Sequence, residues 1–536
     1  MTHSRHGATT HLEELARAAA DSPGLPLLVL HDVTYSCRDV YGATRAVSHG
    51  LMTVGIGEGD RVVILLPNSA EAVWAWLGAN AAGAIDAPIS ADVKGAMLDY
   101  YLRDLEPRLV ITTQDLVDRM AAASPYRPEV LVLVGDDDGR RPLGEDVRTL
   151  SWGDLLTSGA DAPDHLAPSA DATATIIYTS GTTGPSKGVM LSHGYWAEMS
   201  RNHQREVPFA PGSVVYCVQP LCHIDPRSVL LDCLLSRSTF VLAERFSASG
   251  YWDDVERYDA DYFVYIGTIL HLVHKQPDTQ SGRALRPRIG IGSATPASIY
   301  HDFQHRFNAQ LVEGYGMTEV PFMTSQILGH ASPGTIGRIV ESIEGRLVDD
   351  DDAEVPDGEV GELIIRPRRP HVMMQGYWRK PEATLEALRN LWFHTGDLHR
   401  RLPDGNLRYI GRKKDSIRRR GENVSAWEVE QAAMRHPSVK EAAAIGVPSP
   451  LGDEDVAVLV VASDAVVDLD LSALRDFMAA DLPRFAVPRF LEIVQELPKT
   501  PSERIAKGKV RERGITSAAH DAESGAGTGN NTDETR

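Results

Sequence analysis

The chain has 536 residues, 43% of them hydrophobic, which excludes a disordered or fibrous protein and leads us to expect two or three structural units. Its 54 lysines and arginines stand against 74 aspartates and glutamates, a formal charge of −20, which disfavours a nucleic-acid or anionic-membrane partner; an anionic ligand must meet a local cationic site. The four cysteines, Cys37, Cys217, Cys222 and Cys233, form no CxxC pair and are too few to staple the chain, so a reducing, cytoplasmic location is expected.

The opening residues MTHSRHGATTHLEEL hold no apolar stretch of signal-peptide length, and the apolar region 72–87 is interrupted by Asn80 and Asp86, so no membrane span is expected. Short β-branched runs follow: RVVILL at 61, RLVITT at 108, VLVLVG at 130, ATIIYTS at 174, SVVYCV at 213 and RIGIGS at 288. Segments of helical length and spacing, such as 69–82 and 296–307, lie between them, a pattern that predicts layered α/β architecture with buried strands.

From about residue 336 the runs shorten and alternate. The acidic stretch before Pro356-Asp357-Gly358 predicts a β-hairpin and a small β-rich subdomain over about 336–412. A basic run, RKKDSIRRR at 412–420, precedes a fresh α+β stretch. The expected organisation is therefore a large N-terminal domain over 1–412, a smaller α+β domain over 413–513, and a disordered tail over 514–536 rich in Gly, Ala, Ser, Asn and acids.

The chemistry is clearest after the strand at 174. GTTGPSKG packs three glycines, three hydroxyl residues and Lys187 into one turn, where backbone N–H groups can form an anion nest. Thr179, Ser180, Gly181, Thr182, Thr183, Gly184 and Lys187 are thus candidate triphosphate ligands, with an ordinary surface turn as the alternative. The spacing is not that of a Walker A loop.

The complete string YTSGTTGPSKGV at 178–189 resembles the signature loop of the adenylate-forming superfamily, which includes acyl-CoA synthetases, nonribosomal peptide adenylation domains and firefly luciferase; the resemblance extends over roughly 28–513. It implies that PLCHIDPRS at 220–228 is an acid-pocket motif, with His223 as a pocket-lining gate and Asp225 nearby, and Tyr265, Ile266 and Gly314 as further lining residues. HID together with RGENVS most resembles the crotonobetaine/carnitine-CoA ligase branch. GSATP, with Gly292, Ser293 and Ala294, resembles the adenine-binding turn. In VEGYGMTE the resemblance implies that Tyr315 stacks on adenine beside Gly316, Thr318 contacts the α-phosphate, and Glu319 holds Mg²⁺. Asp397 and Arg412 correspond to the residues that hold the ribose hydroxyls, Lys414 to the hinge that makes the domain over 413–513 mobile, and Gly421 to the CoA tunnel. In the segment 497–512 the family's adenylation lysine falls on Arg504, with Lys507 as its rival, a substitution that keeps charge and changes shape.

The resemblance implies activation of a small carboxylic acid with ATP and Mg²⁺ as an acyl-adenylate, pyrophosphate release, and transfer to CoA. Thr318, Glu319, Arg504 and Lys187 are the expected catalytic residues. The alternatives are transfer to a carrier-protein thiol or an amine, activation of a non-carboxylic acid such as nitrite, or a non-enzymatic nucleotide sensor. A homodimer is compatible with each.

Overall fold

The computed structural model describes residues 10–141, 143–158, 168–179, 186–277, 286–419, 422–449, 454–463, 469–480, 482, 484–500 and 504–522. The chain divides into two compact units. The first comprises 1–179, 186–345 and 365–392, and the second comprises 180–185, 346–364 and 393–536.

Two large sheets carry unit 1. Among the described residues one has eight strands, in the order Gly376–Tyr377, Lys187–Ser192, Thr173–Thr179, Ile85–Pro88, Arg61–Leu65, Leu109–Thr112, Val130–Leu133 and Arg148–Ser151. It is parallel from Thr173–Thr179 onward and antiparallel across its first two pairings. The continuous apolar runs read from the sequence explain this, because strands such as LVIT and VLVL are buried at every residue and need cover on both faces. The second sheet has nine described strands, running from Arg338–Ile339 through Val320–Ser325, Ala309–Met317, Arg288–Ser293, Tyr262–Ile266, Val214–Cys217, Thr239–Leu242 and Pro26–Leu30 to Val33–Ser36. Its central strands are parallel.

The helix expected over 69–82 forms at Ala70–Ala81. Ser69, in extended conformation, accepts the Ala72 N–H and so caps it, and every helical residue except Glu71 is buried. A buried ion pair links the layers. Arg227, on the helix Ile224–Ser236, reaches Asp86 on the strand Ile85–Pro88 at 2.6 Å, with both side chains at or below 2% exposure. Asn80 and Thr175 donate to the same carboxylate, and Trp76 lies under the guanidinium at 4.6 Å. The carboxylate is thus fully partnered, which buried charge requires.

Unit 2 carries two four-stranded sheets and a hairpin. One sheet orders Ile343–Val348, Val360–Pro367, Phe393–Arg401 and Leu407–Arg412. Its first two strands are joined by the expected turn, where Gly358 adopts φ +90°. The other orders Val439–Pro448, Glu454–Ala462, Phe490–Ile493 and His520–Asp521, and packs Val456, Val458 and Leu491 with Val429 and Leu474 of its helices. Ser425 caps the helix Ala426–Met434 by accepting the Glu428 N–H. Of the segment expected as a tail, residues 514–522 fold onto this sheet because Thr516 and Arg513 bond to Glu492, and Arg489 pairs with Asp521; residues 523–536 lie outside the described residues.

The α/β class with a smaller C-terminal portion is as expected. Among the described residues no helix is long and apolar enough to cross a membrane.

Candidate functional site

The strands Thr173–Thr179 and Lys187–Ser192 are antiparallel, with Thr179 opposite Lys187, so they flank the glycine-rich turn as the two arms of a hairpin. Of the candidate phosphate ligands, Ser180, Gly181, Thr182, Thr183 and Gly184 lie outside the described residues. The arms themselves are pinned. Tyr100 donates to the Ser186 carbonyl at 2.7 Å, and Tyr178 donates to Asp104 at 2.5 Å while packing on Tyr101.

Lys187 does not stand alone. Its Nζ sits 4.3 Å from the centroid of the Tyr377 ring, and the Tyr377 hydroxyl donates to Glu319 Oε1 at 2.8 Å. Tyr377 is held there by pairing of the short strand Gly376–Tyr377 with Val189 and Met190, and by the Thr384 hydroxyl on its N–H. The Met374 N–H donates to the Glu319 carbonyl, and the Tyr195 hydroxyl donates to the Thr318 carbonyl at 2.9 Å. One tyrosine thus links the loop lysine to the YGMTE carboxylate. Glu319 is a carboxylate of the kind that could hold Mg²⁺, an ion that takes one or two carboxylates and completes its shell with phosphate oxygens. Among the described residues no cluster of three or more His, Cys, Asp or Glu side chains forms a protein-only metal cage.

The GSATP turn is shaped by close backbone approach. A Cβ on Gly292 would fall 2.0 Å from the Tyr265 carbonyl oxygen, and Ala294 adopts φ +55°. Tyr265 is fully buried, and its hydroxyl pairs with Thr295 at 2.7 Å, so it supports the turn from beneath, whereas Ile266 is 37% exposed. Glu313 takes up the backbone N–H groups of Ala294 and Thr295 and the Thr295 hydroxyl; burial pushes its carboxyl up to about 7 against those bonds. Tyr315 follows on the same strand, half-buried, and Gly316 is exposed where a Cβ would fall 1.9 Å from the Pro321 carbonyl. Ser293 closes its strand opposite Ile266.

His223 is the residue before the helix Ile224–Ser236 and is half-buried, and Asp225 is exposed in the first turn, 3.5 Å from Gln219 Nε2. Gly314 faces Phe322, whose ring carbon would lie 2.9 Å from an added Cβ. Phe322 in turn meets the edge of His203 at 4.4 Å, and His203 Nδ1 bonds to Asp232 at 2.8 Å. His203, which no sequence motif marked, thus bridges the helix Ile224–Ser236 and the strand Val320–Ser325, next to segments expected to line the acid pocket.

In unit 2, Asp397 and Arg412 are direct cross-strand partners, and Arg412 Nε meets Asp397 Oδ1 at 2.8 Å with the carboxylate buried. Gly396, at φ +70°, donates its N–H to Glu362, which also pairs with Lys413 at 2.9 Å. Burial works to raise the Glu362 carboxyl, but the Lys413 ammonium holds it below the usual carboxylate range. Lys414 is exposed within a short 3-10 turn, and its carbonyl accepts from Arg511. Gly421 lies outside the described residues.

The two rival cations differ sharply. Lys507, mostly covered, pairs with Glu430 at 2.8 Å and lies 3.8 Å from Asp415. Arg504 is exposed beside the bridged pair Lys499 and Ile505, and its described bonds run from its backbone to Thr500. Sequence reasoning missed Tyr377, Glu313 and His203. The GYW triplet after a strand and the acid two residues before Tyr315 were visible signals for the first two.

A model of the AMP-binding enzyme family matches residues 15–378, and one of the AMP-binding enzyme C-terminal domain matches residues 428–504. The sulfoacetate–CoA ligase of Cupriavidus necator is 31% identical, over 92% of this chain and 96% of its own. The crotonobetaine/carnitine–CoA ligase of Salmonella typhi is 30% identical, over 85% of this chain and 89% of its own. Among solved structures, the anthranilate CoA ligase AuaEII in complex with anthranoyl-AMP shares the fold, with a TM-score of 0.85, 24% identity, and coverage of 94% of this chain and 97% of that one.

Proposed function

The chain belongs to the AMP-binding enzyme family, and from that premise we propose that it is an AMP-forming acid–CoA ligase. A carboxylate attacks the α-phosphate of ATP in line, pyrophosphate leaves, and the CoA thiol then displaces AMP from the acyl-adenylate. The observation that carries the reading is the chain Lys187–Tyr377–Glu319, which joins the phosphate-loop lysine to the carboxylate of a distant motif.

In this reading Lys187 neutralises phosphate oxygens, and Tyr377 holds Glu319 ready for Mg²⁺, which would offset charge on the leaving pyrophosphate. Thr318, its carbonyl fixed by Tyr195, presents its hydroxyl to the α-phosphate. Tyr315, Gly316 and the Gly292-Ser293-Ala294 turn hold adenine. Asp397, oriented by Arg412, accepts from the ribose hydroxyls. Arg504 supplies the second adenylation cation, a role supported by its exposure and by the commitment of Lys507 to Glu430. Lys414 is the pivot between half-reactions, and Gly421 lines the path of CoA. The acid is a small molecule bound among His223, Asp225, Gly314 and Ile266. The protein works in the cytoplasm, and a homodimer is the assembly to look for by light scattering.

Acid-dependent exchange of labelled pyrophosphate into ATP tests the first half-reaction, and AMP release with and without CoA tests the second. Exchange without CoA stimulation and without a thioester product would overturn CoA as the acceptor.

A further inference from the structure

We infer that His203 reads the far end of the acid: its Nε2 forms a hydrogen bond with a substrate oxygen remote from the reacting carboxylate, donating to it when the ring is protonated and accepting from a hydroxyl when it is neutral. Acids carrying such an oxygen are then preferred over alkyl acids of the same shape. This rests on the reading of the chain as an acid-activating ligase whose pocket includes Gly314 and Asp225.

The placement of the ring makes the case. Asp232, buried on the neighbouring helix, takes Nδ1 at 2.8 Å, which fixes the orientation of the imidazole and leaves Nε2 as the nitrogen presented outward. Among the described residues no hydrogen bond engages Nε2, and the side chain keeps 19% exposure. Phe322 crosses the ring at 75° and fills the space beside Gly314, so the histidine stands one side chain away from that expected pocket residue. The charged groups acting on the ring are Asp232 and Asp225, both on the helix Ile224–Ser236; the strand Val320–Ser325 contributes only the apolar Phe322.

Burial alone would push the imidazole down, but the Asp232 charge and hydrogen bond, with Asp225 behind them, hold it above the usual histidine range. Protonated, the ring donates at both nitrogens; neutral, with its Nδ1–H on Asp232, it accepts at Nε2. A ring nitrogen with no described partner is left unpaired by an alkyl chain, and that loss discriminates more strongly than shape does.

The test is pyrophosphate exchange by the full chain with matched acids: an alkyl acid and isosteres bearing a distal hydroxyl, carbonyl, carboxylate or sulfonate. Expected is a kcat/KM advantage of roughly 10- to 100-fold for an oxygen-bearing acid, with the best arm telling whether the oxygen is neutral or anionic. His203→Leu removes that advantage through KM while exchange with the alkyl acid persists, and His203→Gln, which keeps an N–H donor, restores part of it. For acceptor-only oxygens the advantage also falls as pH rises through the titration of His203. Equal or better use of the alkyl acid by the unaltered enzyme, or an unchanged preference in a folded His203→Leu, overturns the inference alone. Absence of exchange with every acid overturns the ligase reading, and the inference with it.

Discussion

Replacing each of the two rival cations in turn separates a catalytic role from a structural one. Lys507 is 12% exposed and its partner Glu430 is 9% exposed, at 2.8 Å, with the Ala444 N–H as the other donor to that carboxylate. Burial already pushes the Glu430 carboxyl up against the pull of Lys507, so Lys507→Ala leaves an acid that is costly to keep charged. Breaking such a pair costs about 3–5 kcal/mol, which at 2–4 °C per kcal/mol lowers the melting temperature by roughly 6–20 °C. Arg504→Ala, at an exposed position, should leave melting nearly unchanged and lower pyrophosphate exchange by roughly 100- to 1000-fold. Thermal melts by circular dichroism and exchange rates normalised to folded protein give the two readouts. The reasoning is refuted if Lys507→Ala melts like the parent and loses exchange while Arg504→Ala retains it.

Tyr377→Phe deletes the hydroxyl that donates to Glu319, and the loss of a hydrogen bond to a charged group, about 1.5–3 kcal/mol, should reduce kcat/KM for MgATP by roughly 10- to 150-fold. A change under two-fold in exchange kinetics would remove Tyr377 from the site. Glu313 is raised from 4.5 to about 7, so the folded state holds its proton where the unfolded chain does not; its contribution, about 3 kcal/mol, is full below pH 4.5 and is lost as pH rises to 7. In Glu313→Gln that part of the stability–pH curve flattens, as denaturant titrations across pH 4–8 should record. Arg227→Ala strands Asp86 in the core and should cost about 3–5 kcal/mol in urea unfolding, whereas breaking an exposed pair such as Arg140–Asp138 should leave the unfolding midpoint nearly unchanged.

Much of this was legible from local pattern. The six apolar runs became strands, and in LVIT and VLVL every residue is buried because consecutive β-branched and aliphatic residues bury on both faces only inside a covered sheet. Ser69 and Ser425 each cap a helix through a side-chain oxygen that accepts a backbone N–H three residues on, a contact local enough to depend on residue type and spacing alone. Asp397 and Arg412, named from separate motifs, proved to be cross-strand partners because both lie on adjoining strands of one hairpin.

The sequence by itself determined the class of fold, the phosphate turn and the identity of most candidate ligands, since these depend on residue type at short spacing. Tertiary structure alone decided how they are wired. The link of Tyr377 to Lys187 and Glu319 needs a two-residue strand to join the edge of a sheet begun far upstream. The pairing of Lys507 with Glu430, and of His203 with Asp232, sets partners on different elements whose separation along the chain carries no signal. Charge and hydrogen bonding act over a few ångströms in space, and only folding brings those residues within that range.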